Sequence, residues 1–147
     1  MTELLPNLYV GNLADYQATK KAAKPGEWAY VHAKQSVRPS GKRAHSDYLM
    51  LQDKNDLYLS WLDTGPGLFT TVLDFIEARL ATHKVLVHCD VGESRSPTIA
   101  LLYLAKRARV ISDATYDQAR AEFAKFYPGY YPSGIRVFVR VNWDKIR

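Results

Sequence analysis

The chain has a single cysteine, Cys89, among its 147 residues. An internal disulfide is therefore impossible, and no His/Cys spacing of the kind that holds a structural metal is present. Long apolar runs are also missing: nothing approaches the roughly 20 residues that cross a bilayer. The opening, MTELLPNLYVGN, has neither the basic start nor the apolar centre of a secretory leader. Internal repeats, low-complexity tracts and linkers are lacking, so nothing divides the chain. These absences lead to the expectation of one soluble domain over residues 1–147, in a reducing, cytoplasmic setting and with no membrane contact.

Positive charge is in modest excess. Twenty Lys+Arg against 15 Asp+Glu give a net charge of +5, which suits an anionic substrate or partner. Nucleic acid is the less favoured partner, because the basic residues are spread out, with one small cluster in AKQSVRPSGKRAH. A solvated surface is the plainer reading of most of them.

Along the chain, NLYVGN alternates like a short strand and ends in a turn signal, and LADYQATKKAA reads as a helix stopped by Pro25-Gly26. EWAYVHA reads as a strand and residues 34–47 as a surface loop. YLMLQ and LYLSWL read as two strands joined by the polar turn DKND. GLFTTVLDFIEARLATH places Leu68, Val72, Phe75, Ile76 and Leu80 at helical spacing, so an amphipathic helix is expected. KVLVH is a continuous apolar run, the pattern of a central strand covered on both faces. SPTIALLYLAKRA follows, with Ser96 as N-cap and Pro97 at the first helical position, and is apolar enough for a buried helix. DATYDQARAEFAKFY is a further helix; PGYYPSGIRVFVRVNWDK opens with turns and closes as a helix or a strand. Strands alternating with helices imply an α/β fold: a central, mostly parallel sheet flanked by helices. Trp28 and Trp61 follow strand alternation and are assigned to the core. His32, His45 and His83 are read as surface or satisfied core residues.

The lone cysteine lies where the apolar strand hands over to the buried helix, in HCDVGESRS, with five residues between Cys89 and Arg95. A loop of that length at a helix N-terminus curls so that its N–H groups point inward, forming an anion nest reinforced by the helix dipole. Gly92 supplies backbone freedom. Arg95 offers a planar fork matched to two phosphate oxygens. A thiol in such a field ionises at neutral pH, and a thiolate below a bound phosphate is a nucleophile aimed at phosphorus.

HCDVGESRS resembles the H-C-x-x-G-x-x-R-S/T signature of the cysteine-dependent protein tyrosine phosphatase superfamily, and VLVHC with SRSPT resembles its dual-specificity branch. LLPNLYVGN is similar to that branch's opening strand and YYPSGIRVF to its closing turn; residues 34–48 match least. The resemblance implies a CX5R phosphate-binding loop in which Asp90, Val91, Gly92, Glu93, Ser94 and Arg95 hold substrate, Cys89 attacks, and no cofactor or metal is needed. It gives His88 the task of holding the loop and tuning Cys89. Ser96 either eases the thiolate's departure or only caps the helix. Glu93 forms a local ion pair or faces solvent. Tyr127, Tyr130 and Tyr131 are packing or turn residues, or a rim for a phosphotyrosine ring.

The resemblance also implies a general acid, an aspartate on the loop before the long helix. Asp63 ends LYLSWLD ahead of Thr64-Gly65-Pro66, and topology favours it; Asp56 lies nearer the usual interval from Cys89 but in the DKND turn. Asp63 is taken as the acid, with Asp56 the alternative. Asp90 and Glu93 would repel extra phosphate charge, so a monophosphorylated protein side chain fits better than RNA 5′-phosphates or lipid phosphates. The expected function is that of a metal-independent phosphatase for phosphotyrosine, with phosphoserine and phosphothreonine in addition. A phosphate-binding module without catalysis is the alternative.

Overall fold

The computed structural model describes residues 1–34, 37–39, 48–60 and 65–147. Trp61, Asp63 and His45 therefore lie outside the described residues, as does most of the segment read as a surface loop. The elements run β1 (Thr2–Leu5), β2 (Leu8–Gly11), α1 (Leu13–Ala22), β3 (Trp28–His32), β4 (Met50–Asp53), β5 (Asp56–Leu59), α2 (Pro66–Leu80), β6 (Lys84–His88), α3 (Arg95–Lys106), α4 (Tyr116–Phe123) and α5 (Ile135–Val141), closed by a 3₁₀ turn at Trp143–Lys145. The six strands form one sheet in the order β1-β2-β6-β3-β5-β4. The four inner strands are mutually parallel, and β1 and β4 add antiparallel edges. The mostly parallel sheet expected from the sequence is present, with β1 as a strand that the sequence reading did not separate.

β6 sits at the middle of this sheet, and its pleat divides the molecule. Val85, Val87 and Cys89 join the large core formed with Phe69, Val72, Ile76 of α2 and Ile99, Leu101, Leu102 of α3. Leu86 and His88 point the opposite way, as successive strand residues must. That second face is covered by α1, whose Tyr16 ring lies flat on His88, with centroids 4.6 Å apart. Both faces are thus buried, which is why KVLVH has no polar alternation. Helix α3 is buried from Ser96 to Ala105, in keeping with its near-continuous apolar sequence. Pro97 occupies its first turn, where a missing N–H leaves no bond unmade.

Two sequence readings are corrected in detail and one alternative is decided. Helix α3 begins at Arg95 with Ser94 as its N-cap, and no side chain caps it; Ser96 is inside the helix and its hydroxyl is engaged elsewhere. Trp28 is only half-buried, at the rim of β3 against Tyr9, rather than in the core. The closing segment, left between helix and strand, is the helix α5. No helix among the described residues is long and apolar enough to cross a membrane.

Candidate active site

The loop from Cys89 to Ser94 is built by its neighbours. At its entrance the Cys89 amide donates to the Gly11 carbonyl at 3.4 Å, and the Leu13 amide donates to the Asp90 carbonyl at 3.3 Å. Gly92 has φ +80°, and a Cβ there would lie 3.1 Å from the same Gly11 carbonyl oxygen. Both the left-handed backbone and the close approach demand glycine. On the far side, the Tyr127 hydroxyl donates to the Gly92 carbonyl at 2.6 Å. The Tyr131 amide donates to the Glu93 carbonyl at 2.7 Å, and the Ser133 amide to Ser94 Oγ at 3.0 Å. Carbonyls of the loop are therefore turned outward onto α1 and the turn that follows α4. The amides of residues 90–95 have no acceptor among the described residues, leaving a run of free donors above the N-terminus of a 12-residue helix.

These donors border a cavity of about 520 Å³ whose lining includes Cys89, Asp90, Val91, Glu93, Ser94 and Arg95, together with Lys34, Tyr131 and Ser133. The Arg95 side chain forms no ion pair with the described residues and is exposed to the cavity. Gly92 does not line the cavity; it is buried and shapes the loop. Tyr131 stands 76% exposed at the rim, whereas Tyr130 is buried, its hydroxyl bonded to Thr98 and Tyr116. Of the three tyrosines, Tyr131 alone is placed as a rim residue, and Tyr127 and Tyr130 are structural.

Beneath the loop, Cys89 Sγ lies 3.1 Å from Ser96 Oγ, and Ser96 Oγ is also 3.1 Å from the Gly11 carbonyl, to which it donates. A hydroxyl has one proton, so the two contacts share it: Gly11 takes it when the sulfur is a thiol, and a thiolate competes for it. Both side chains are buried. Lys34 pairs with Asp90 at 2.8 Å, so one of the two loop acids is compensated. The sequence reading counted both as repulsive; the residue that offsets Asp90 arrives from just beyond β3.

The sequence reading also missed what stands behind His88. His88 Nε2 lies 2.6 Å from His32 Nδ1, and His32 Nε2 lies 2.7 Å from Asp56 Oδ1. Both rings are fully buried. Burial chiefly, with His32 and Lys34 nearby, pulls His88 down to about 3; burial also lowers His32, against the upward pull of Asp56. Both shifts favour the neutral rings. Asp56 thus faces inward to His32 from the start of β5 and does not line the cavity.

Comparison with known proteins places this arrangement. The family model for the dual specificity phosphatase catalytic domain matches residues 8–130. Dual specificity protein phosphatase 16 of Homo sapiens is 33% identical over 120 residues, covering 78% of this chain and 17% of that protein. Dual specificity protein phosphatase 8 of Mus musculus is 31% identical over 121 residues, 79% of this chain and 17% of that protein. The chain spans about a sixth of the length of these two relatives. Among solved structures, DUSP15 superimposes with a TM-score of 0.69 at 25% identity, covering 97% of this chain and 86% of that one. Human DUSP28 superimposes with a TM-score of 0.68, covering 99% and 96%, and its 17% identity speaks to the fold alone. A cysteine and an arginine on either side of a ring of free amides, on this sheet and in this order, have the same meaning as the matched sequence: the chain belongs to the dual specificity phosphatase family.

Proposed function

We propose that this domain hydrolyses phosphate monoesters of protein tyrosine, and of serine and threonine in addition, through a cysteinyl-phosphate intermediate. The observation that carries the reading is the set of free amides at residues 90–95, which with the unpaired Arg95 surrounds the cavity above Cys89 Sγ. A phosphoryl group bound there meets donors for its equatorial oxygens, where transfer needs charge stabilisation. The Cys89 thiolate attacks phosphorus, the P–O bond to the leaving group breaks, and an acid protonates the departing oxygen. Water then attacks phosphorus and gives its proton to the same residue, now a base; the S–P bond breaks, the thiolate leaves, and Ser96 Oγ can turn its proton from Gly11 to the sulfur. The amides and Arg95 supply the positive field, so no step as written calls on a metal.

Asp63 is the proposed acid. It follows the C-terminal end of β5, the end of the parallel strands at which the loop sits, and its rival Asp56 is committed to His32. Acid–base assistance of this kind contributes about 10²–10⁴-fold, so Asp63→Ala should slow alkyl phosphates most. Tyr131 at the rim and the Lys34–Asp90 pair beside the loop suit a phosphorylated protein side chain, and a reducing cytoplasm suits a lone reactive thiol.

Hydrolysis of para-nitrophenyl phosphate from pH 4 to 9 in EDTA, with Cys89→Ser alongside, tests the reading. Metal-independent turnover with an acidic optimum, abolished in the variant while phosphate-ester binding persists, is expected. An inactive wild type that still binds vanadate would instead make the domain a phosphate-binding module. Preferential turnover of an RNA 5′-phosphate or a phosphoinositide over a phosphotyrosine peptide would reassign its substrate.

A further inference from the structure

A carboxylate at neutral pH only accepts hydrogen bonds. Asp56 Oδ1 therefore takes the proton of His32 Nε2 at 2.7 Å, and the neutral His32 ring presents a bare Nδ1 to His88. His88 must donate from Nε2 across 2.6 Å, which leaves its Nδ1 without a proton. That atom is buried and has no partner among the described residues, the situation in which a bare nitrogen costs less than an orphaned N–H. The tautomers of both rings are thus dictated from one end of the chain. The rings cannot turn freely either: Tyr16 stacks on His88 at 4.6 Å and Tyr58 on His32 at 4.6 Å.

The geometry points to Asp56 and His32 as positioning residues for Cys89: an ordered chain that holds His88, the residue before the nucleophile, on the face of β6 opposite Cys89, with one negative charge at its far end. The inference rests on the phosphatase reading for its purpose. The amides of the loop, the dipole of α3 and Arg95 all stabilise a thiolate, and a thiolate stabilised too far is a poor nucleophile, since nucleophilicity falls with thiol pKa with a Brønsted slope of about 0.4–0.5. A negative charge behind the loop opposes that loss. Around Cys89 the other charged and titratable groups are Arg95 of α3, Lys34 beyond β3, Asp90 and Glu93 of the loop, and Tyr127 after α4. Around His32 they are Asp56 and Tyr58 of β5, His88 of β6, Tyr30 of β3 itself, and Tyr16 and Lys20 of α1. All but Asp56 are retained when Asp56 becomes asparagine.

The test reads Cys89 without substrate, so it stands apart from the phosphatase reading: the rate of iodoacetamide alkylation against pH. A unit charge about 10 Å away at an effective dielectric of about 20 is worth about one pH unit. Asp56 is 23% exposed, and solvent reduces this to about half a unit. Asp56→Asn, which keeps every heavy-atom position, should move the alkylation midpoint down by about 0.5 and slow the fully ionised thiolate by about twofold. An unchanged midpoint in folded Asp56→Asn overturns the assignment. Long-range ¹H–¹⁵N correlation on the wild type gives a check free of substitutions: His88 should carry its proton on Nε2, and a proton on Nδ1 would refute the chain's direction.

Discussion

Acidification from pH 7.5 to 5.0 should weaken the fold through its buried histidines. In the unfolded chain both rings titrate near 6.5. In the native protein burial, assisted by His32 and Lys34, holds His88 near 3, and burial lowers His32 as well. A base whose folded pKa is depressed contributes stability that is full above about pH 6.5 and is lost as pH falls towards the folded value, because the unfolded state takes up the proton first. At pH 5.0, about 1.5 units below the unfolded value, His88 alone accounts for a loss of about 2 kcal/mol. His32 adds a smaller part, since Asp56 favours its charged form. With a urea m-value of about 2 kcal/mol per molar, the midpoint should fall by about 1 M. Equilibrium urea unfolding followed by circular dichroism at pH 7.5, 6.5, 5.5 and 5.0 would measure it, beside His88→Gln. The variant should be less stable at pH 7.5 yet shallower in its pH dependence by about one proton. A wild type equally stable at both ends, or a variant with the same slope, would refute the reasoning.

Gly92→Ala forces a Cβ to within 3.1 Å of a backbone oxygen at φ +80°; turnover should drop at least about tenfold and stability by about 1–2 kcal/mol, read from kinetics and thermal melts. Tyr127→Phe removes the donor to the Gly92 carbonyl and should cost about 1 kcal/mol of stability, with kcat falling more than KM rises. Ser96→Ala deletes the hydroxyl 3.1 Å from the sulfur. It should slow hydrolysis of the proposed cysteinyl-phosphate more than its formation, giving a burst of nitrophenol in stopped-flow traces.

The strand, loop and helix around Cys89 were legible because each carries its own local signal: KVLVH its unbroken apolar run, Gly92 and the five-residue spacing the loop, Pro97 the helix start. β1 was not separated, since TELL is four residues long and its pairing depends on a tight turn at Asn7, which has φ +71°. Ser96 was read as the cap because it precedes Pro97, but the helix begins two residues earlier than that, at Arg95, and the hydroxyl turns to Cys89. The Asp56–His32–His88 chain has no local signal at all. Its members are 24 and 56 residues apart, and only the parallel register that sets His32 beside His88 brings the rings together. Lys34 was inside the segment that matched least, so its pairing with Asp90 was equally hidden.

The Gly11 carbonyl takes hydrogen bonds from the Cys89 amide and from Ser96, 85 residues further along the chain, and marks the closest approach to Gly92. The cradle of Cys89 is thus assembled from distant parts of the sequence. A peptide carrying only β6 and α3 would possess every letter of the signature and still lack one wall of its mould. During synthesis that wall emerges first and waits for most of the chain before it has anything to hold. Reactivity at Cys89 is consequently a report on completed assembly, and two fragments divided between α1 and β3 would regain it only by associating.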